Sequence, residues 1–332
     1  MKVSDFDYVL PKEFISQYPA EMRDESKLLV LHRDTGKIEH KSFKDIVNYF
    51  SAGDVLIVNK TKVIPARLFG KKVTGGKIEI LILGYGDNKI VPAIVSPLKN
   101  LKPTTRIFFD KDFCEVVGIE DGIVKLKFSE NINLILEKHG RIPLPPYIKR
   151  DLVQSDIERY QTVFAAVSGS IAAPTAGLHF TKEILELLEH KNVKVAEVLL
   201  HISLATFSKV KSENITQHKM GEEYFEIEKL SADIINLAKR KIAVGTSSVR
   251  VLETVSDGKN VLANRGTTNL FIYPGYKFKN TDAVITNFHL PKTTLLMLVC
   301  AFAGRDLIFN AYEEAKQKNY RFASYGDAML IL

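Results

Sequence analysis

From Lys182 to the last residue, helix-type and strand-type patterns take turns along the chain. Ile184, Leu185, Leu187 and Leu188 recur among charges, with Thr181 placed to cap them, so 182–191 reads as a helix. The run VKVAEVLLHI follows as a strand within 193–202, with His201 near its end. Ser231 is placed to cap the helix SADIINLAKRK, and Ile242–Gly245 is the next strand. A helix over 249–255 and a strand over 283–286 come after it. A helix capped by Thr293 or Thr294, a helix over 306–318 and a last strand over 328–332 complete the series. Upstream, Asp54–Asn59 is continuously apolar after its first residue, as a strand covered on both faces would be. Such alternation predicts an α/β fold, with a largely parallel sheet and flanking helices.

The stretch from 61 to 150 has another texture. Short Val-, Ile- and Phe-rich segments at 67–72, 77–83, 90–95, 106–109, 114–119 and 123–128 are separated by Gly, Pro and Asp. Near-regular short strands without a long helical pattern predict a small antiparallel β-barrel. The expected organisation is therefore a discontinuous α/β domain, 1–60 and 151–332, with a barrel domain inserted at 61–150. Arg141-Ile142-Pro143-Leu144-Pro145-Pro146-Tyr147-Ile148 is stiffened by proline and reads as the return connector. Before the insertion, Lys27–Leu31 is a strand, Asp34–Lys37 a turn and Ile38–His40 a hairpin partner; Ser42 can cap a short helix reaching Phe50. Arg67, Lys71, Lys72 and Lys77 make the barrel basic, which suits either an RNA-facing wall or a solvated strand face.

Between these regions lies GSIAAPTAGLHFT, residues 169–181, almost free of bulk until Leu178. Small residues let a ligand or a second backbone approach closely, and Pro174 fixes its own φ. Thr175 and Gly177 are substrate-contact candidates, and His179 is a proton-carrier candidate. The competing reading is a tight crossing with a core histidine. Two further loops precede helices. Thr246, Ser247 and Ser248 stand at a helix start, where donors can hold a carboxylate or phosphate, and Arg250 can add a bidentate grip. Asn287 and His289 sit on a strand-to-helix turn, offering an amide to read a base edge and an imidazole to move a proton. Tyr325-Gly326-Asp327 adds a phenol and a carboxylate. Asp327 is a candidate base or amine anchor, with a plain turn residue as the alternative. His201 ranks lower.

Bulk properties set limits. The 332 residues suggest about two domains, and the net charge of +7 favours a polyanionic partner. Cys114 and Cys300 are distant in sequence and outside any CxxC pair, against a structural zinc site or a disulfide framework. No metal-ligand spacing, GxGxxG fingerprint or GxxxxGK[ST] loop occurs. MKVSDFDYVLP has no signal-peptide core, and the apolar run 295–303 is too short to span a bilayer. The expectation is a cytoplasmic protein without membrane association, acting as a monomer.

Taken with YVLPKEFISQYP, GDVLIVNKTKVIPARLFGKKVTGGKIEILIL, RIPLPPYI, ERYQTVFA, GTSSVRVLE, PGYKF, ITNFHLPKTTLLMLVCAFAG and YRFASYGDAML, the central stretch resembles the S-adenosylmethionine:tRNA ribosyltransferase-isomerase family nearly end to end. The resemblance implies a barrel inserted in an α/β domain and a role in tRNA queuosine synthesis. It also places the 324–327 loop beside the other three. The implied reaction moves the ribosyl group of S-adenosylmethionine to 7-aminomethyl-7-deazaguanine at the tRNA wobble position and isomerises it. Epoxyqueuosine-tRNA, adenine and methionine are the products. S-adenosylmethionine is then a consumed substrate, and no cofactor is implied. The roles expected are proton transfer by His179 or His289, an amine hold by Asp327 and a carboxylate hold by Arg250 with loop 245–250. Asn287 and Tyr325 are expected as further substrate contacts. One departure is HISLATF at 201–207, where Ser203 and Ala205 replace glycines of a glycine-rich family stretch. Another is FAAVS at 164–168, which lacks the charges often found there. Two rivals are a non-catalytic tRNA-binding module and an S-adenosylmethionine-dependent tRNA methyltransferase.

Overall fold

The computed structural model describes residues 1–84, 90–203 and 209–332. Among them a nine-stranded sheet runs in the order Asn264–Thr268, Glu223–Ile227, Lys194–Leu200, Val55–Asn59, Lys241–Val244, Ala283–Asn287, Ala328–Ile331, Lys27–Leu31, Ile38–Ser42. Its middle, from Lys194–Leu200 to Ala283–Asn287, is parallel. Ala328–Ile331 then runs antiparallel to Ala283–Asn287 and parallel to Lys27–Leu31. The hairpin Lys27–Ser42 and the strands Glu223–Ile227 and Asn264–Thr268 make both margins antiparallel. The sheet is thus mixed, with its parallel run at the centre.

Period-two burial explains the layers. Leu29, Leu31, Val55, Ile57, Ala243, Val284 and Met329 face one side, under helices Lys229–Leu237, Gly245–Val255, Thr294–Ala303 and Arg305–Gln317. Leu28, Val30, Leu56, Val58, Ile242, Ile285 and Leu330 face the other, with Phe43 and Ile46 of the 3-10 helix Phe43–Tyr49 and Ile184 and Leu188 of helix Lys182–His190. Each such aliphatic side chain contributes about 1.5–3 kcal/mol of transfer free energy, offset by the entropy of ordering it.

The sequence pattern misses the strands Glu223–Ile227 and Asn264–Thr268. In the first, residues 223, 225 and 227 are buried in strict alternation, but the first of them is a glutamate. The second, NRGTT, has no large apolar residue. The helix expected from Ser231 begins at Lys229, with Glu228 at its N-cap.

Six strands, Arg67–Lys72, Lys77–Ile82, Ile90–Ser96, Arg106–Phe109, Asp112–Glu120 and Ile123–Phe128, close into an antiparallel barrel with its own core. Helix Ile132–His139, also unforeseen, adds Ile132, Ile135 and Leu136 to that core, and Asn131 caps it by accepting from the Asn133 N–H at 2.9 Å. Ile142, Leu144 and Ile148 of the connector then pack with Tyr160, Leu178 and Tyr325. Among the described residues no single helix is long and apolar enough to cross a membrane.

Candidate active site

The carboxyl ends of the parallel strands meet at one place, as open α/β sheets favour for ligands. Strand Val167–Ser170 pairs with Thr61–Val63, and a 3-10 turn, Thr175–His179, brings the small-residue stretch over this edge. Thr181 then caps helix Lys182–His190, accepting from the Ile184 N–H. Because Ala328–Ile331 is antiparallel, its start lies opposite Asn287, so loop 324–327 arrives at the same end.

A narrow cleft, in part open to solvent, is lined here by Thr175, Glu223, Thr246, Ser247, Arg250, Asn287 and His289, with Leu200, Ile202 and Leu295 as apolar walls. That mixture of apolar wall and few polar groups is the usual make-up of a small-molecule site. Gly245 opens helix Gly245–Val255 at φ +84°, a conformation that favours glycine. No side chain caps this helix start. Ser248 Oγ donates back to the Val244 carbonyl at 2.8 Å, but Ser247 Oγ is buried and has no hydrogen-bond partner. An uncapped helix start beside an unpartnered hydroxyl leaves donors for an anionic group.

Arg250 does not offer its charge freely to a ligand. Its guanidinium pairs with Glu223 and donates to the carbonyls of Leu270 (3.1 Å) and Thr268 (3.4 Å). Arg250 lines the cleft as expected, but in this structure its charge is met by a buried ion pair on the cleft wall. Glu223, absent from the candidates drawn from sequence, also accepts from the Ser203 N–H at 2.7 Å. Its only signal was the alternation of EYFEI.

Asn287 links the cleft to the residues behind it. Thr175 Oγ1 donates to Asn287 Oδ1 at 3.0 Å, and Asn287 Nδ2 donates to His179 Nε2 at 3.1 Å. With that nitrogen accepting, His179 Nδ1–H donates to Ser26 Oγ at 2.7 Å, and Ser26 Oγ–H points to the Arg23 carbonyl at 3.4 Å. His179 packs on Phe43 behind the cleft rather than lining it. Burial pushes its imidazole down to about 4, against the pull of Asp327, so the ring is neutral at pH 7.

His289 does line the cleft. Burial pushes it down to about 3. Its Nε2 lies 2.8 Å from Thr286 Oγ1, whose own proton can go to the Asn287 carbonyl at 3.4 Å. That tautomer places the proton on Nε2 and leaves the Nδ1 lone pair unengaged among the described residues.

Other candidates stand apart. Asp327 is buried, accepting from the Lys27 and Arg321 backbone N–H groups and from the Arg321 guanidinium at 2.8 Å. Those bonds engage both carboxylate oxygens, and Asp327 is not among the residues that line the cleft, as the turn-residue alternative would have it. Tyr325 donates to Asp156 at 2.8 Å, within a cluster where Arg150 forks onto the same carboxylate. It too is off the cleft. Gly177 serves packing, since a Cβ there would lie 2.6 Å from Phe164 Cζ. His201 sits 2.8 Å from Thr61 Oγ1 and against Gly169, where a Cβ would meet its ring at 2.5 Å. Ala205 lies outside the described residues.

A cleft at the carboxyl edge of a parallel core, with a closed six-stranded barrel that has its own interior, defines a two-part α/β protein. The chain belongs to the queuosine biosynthesis protein family, whose model matches residues 3–331. It is 53% identical to the S-adenosylmethionine:tRNA ribosyltransferase-isomerase of Carboxydothermus hydrogenoformans and 50% identical to that of Sulfurihydrogenibium sp., each over the full length of both chains. The crystal structure of S-adenosylmethionine tRNA ribosyltransferase from Thermotoga maritima is similar at TM-score 0.58 and 39% identity, covering 99% of this chain and 100% of that one.

Proposed function

We propose that the protein transfers and isomerises the ribosyl group of S-adenosylmethionine onto 7-aminomethyl-7-deazaguanine at the tRNA wobble position. Epoxyqueuosine-tRNA forms, and adenine and methionine leave. In this reading residues 1–60 and 151–332 are the catalytic domain, and 61–150 the inserted barrel domain. The observation that carries it is the unpartnered Ser247 hydroxyl at an uncapped helix start, across the cleft from Asn287 and His289.

The chemistry sets three demands. The positive sulfur acidifies the neighbouring 5′ carbon, so a neutral base must stand near it. Adenine must leave against a donor. The acceptor amine must attack in its uncharged form. Thr246, Ser247 and the helix start hold the methionine carboxylate, while the Arg250–Glu223 pair forms the neighbouring wall of the cleft. His289, neutral in its buried position, receives the proton. Asn287 presents its remaining amide N–H to a base nitrogen, and His179 is a positioning residue that fixes the Asn287 amide.

Incubation with S-adenosylmethionine and tRNA carrying the aminomethyl precursor, followed by chromatography of the small products, tests this. Adenine and methionine in equal amounts are expected. S-adenosylhomocysteine would instead mark a methyltransferase, and tRNA binding without any product a non-catalytic module.

A further inference from the structure

Arg23 and Arg159 line one small pocket beneath the N-terminal arm, together with Ser26, His179 and Ser324. Arg23 donates to the carbonyls of Leu178 (3.0 Å) and Glu158 (3.1 Å). Arg159 donates to the carbonyls of Glu21 (2.8 Å) and Ala20 (2.7 Å). Its Nε is buried with no hydrogen-bond partner. Among the described residues neither guanidinium makes an ion pair, although their neighbours do: Arg150 with Asp156, and Arg321 with Asp327. Burial and then the repulsion of Arg159 lower the Arg23 pKa, only partly offset by the pull of Glu158. Carbonyl bonds fix where the two groups stand, but they do not cancel two half-buried like charges.

The pocket has a particular location. It shares Ser324 with a small cavity that also touches Asn287 and His289, and that cavity shares Thr175, Asn287 and His289 with the cleft. In the other direction it shares Arg23 with a wide groove lined by Lys62, Arg141 and Lys182. The two arginines therefore stand between the groove, with which the pocket has Arg23 in common, and a cavity that borders the cleft.

We infer that Arg23 and Arg159 form a subsite for a backbone phosphate of the RNA substrate, at the edge of the groove on the side toward the cleft. The inference rests on the proposed tRNA reaction. A phosphate brings the missing negative charge and acceptors for guanidinium N–H groups, a match that planar arginine forks make well. Such a contact sets the register of the strand without reading a base, so that the wobble nucleotide meets the cleft.

The test is tRNA binding across a range of salt by wild type, Arg23→Gln, Arg159→Gln and Arg159→Lys, alongside S-adenosylmethionine binding. The Gln variants should bind tRNA about tenfold more weakly near 0.1 M salt, with a log–log salt slope shallower by about 0.7 for the lost phosphate. Arg159→Lys should keep the slope and lose several-fold in affinity, which also serves if a Gln chain fails to fold. S-adenosylmethionine should bind all folded variants equally. Gln variants with wild-type affinity and slope would overturn the subsite, as would weaker binding with an unchanged slope, the mark of a purely structural role. If inorganic phosphate raises the melting temperature of wild type but not of Arg159→Gln while tRNA binding is untouched, the site takes free phosphate and the RNA assignment falls. Wild type that binds no tRNA at any salt would overturn the functional reading itself. Wild type that binds and reacts while the variants match it would overturn the subsite alone.

Discussion

Asn287 is the residue on which both halves of the site depend, because its amide faces the cleft through Thr175 and is set from behind by His179. Asn287→Ala should strip a buried imidazole nitrogen of its donor, costing about 1–3 kcal/mol of stability. Adenine release should slow about a hundredfold through misplacement of the remaining groups; near-wild-type turnover would remove Asn287 from the mechanism. Ser247→Ala should behave oppositely in stability. A buried hydroxyl without a partner costs its desolvation, so its loss should leave the melting temperature unchanged or raise it, while S-adenosylmethionine binding measured by calorimetry weakens about five- to tenfold. The two histidines add a pH dependence. His179 falls from 6.5 to about 4 on folding and His289 to about 3, so between those values and 6.5 the unfolded chain binds more protons than the folded one. Stability from this source is complete above about pH 6.5 and is lost as pH falls toward 4, about 3 kcal/mol for His179 alone. Urea unfolding should show His179→Gln losing less stability than wild type between pH 7 and 4; equal losses would contradict the buried neutral ring.

Elements, rather than single side chains, decide how close the loops come. Gly177→Ala would place a Cβ 2.6 Å from Phe164 Cζ and 2.8 Å from Thr162 Cγ2, so the 3-10 turn Thr175–His179 must shift. A loss of about 1–3 kcal/mol in denaturant unfolding is expected, with weaker S-adenosylmethionine binding because Thr175 moves with the turn. Much of this level could be read from the sequence. The central strands are continuous apolar runs, the six barrel strands are marked by turn residues, and Thr181 and Thr293 cap the helices they precede. What escaped had a physical cause. Helix Ile132–His139 buries only three of its eight residues, and its fourth apolar residue, Leu134, is exposed, so the helix closes a barrel end without standing out as a period. Strand Glu223–Ile227 hides its alternation behind a carboxylate on its inward face. Missing that strand also hid the partner of Arg250, so the arginine read as a free cation. Asp327 and Tyr325 carried reactive groups on a loop correctly brought to the site edge, yet their orientation is fixed by Arg321, Lys27 and Asp156, contacts that no local pattern encodes.

At the scale of the molecule, a net charge of +7 and the wide groove suit a partner that is long and anionic, while the polar groups that line the cleft suit a small ligand. Both would meet at one place, and the ribosyl group, not the methyl group, would cross between them. Two samples of S-adenosylmethionine, one labelled in the ribose and one in the methyl group, can be incubated in turn with the protein and precursor tRNA, and the label in precipitated tRNA counted. Ribose label in the tRNA and methyl label remaining with free methionine are expected. Methyl label in the tRNA, or neither label there while adenine is still released, would contradict ribosyl transfer.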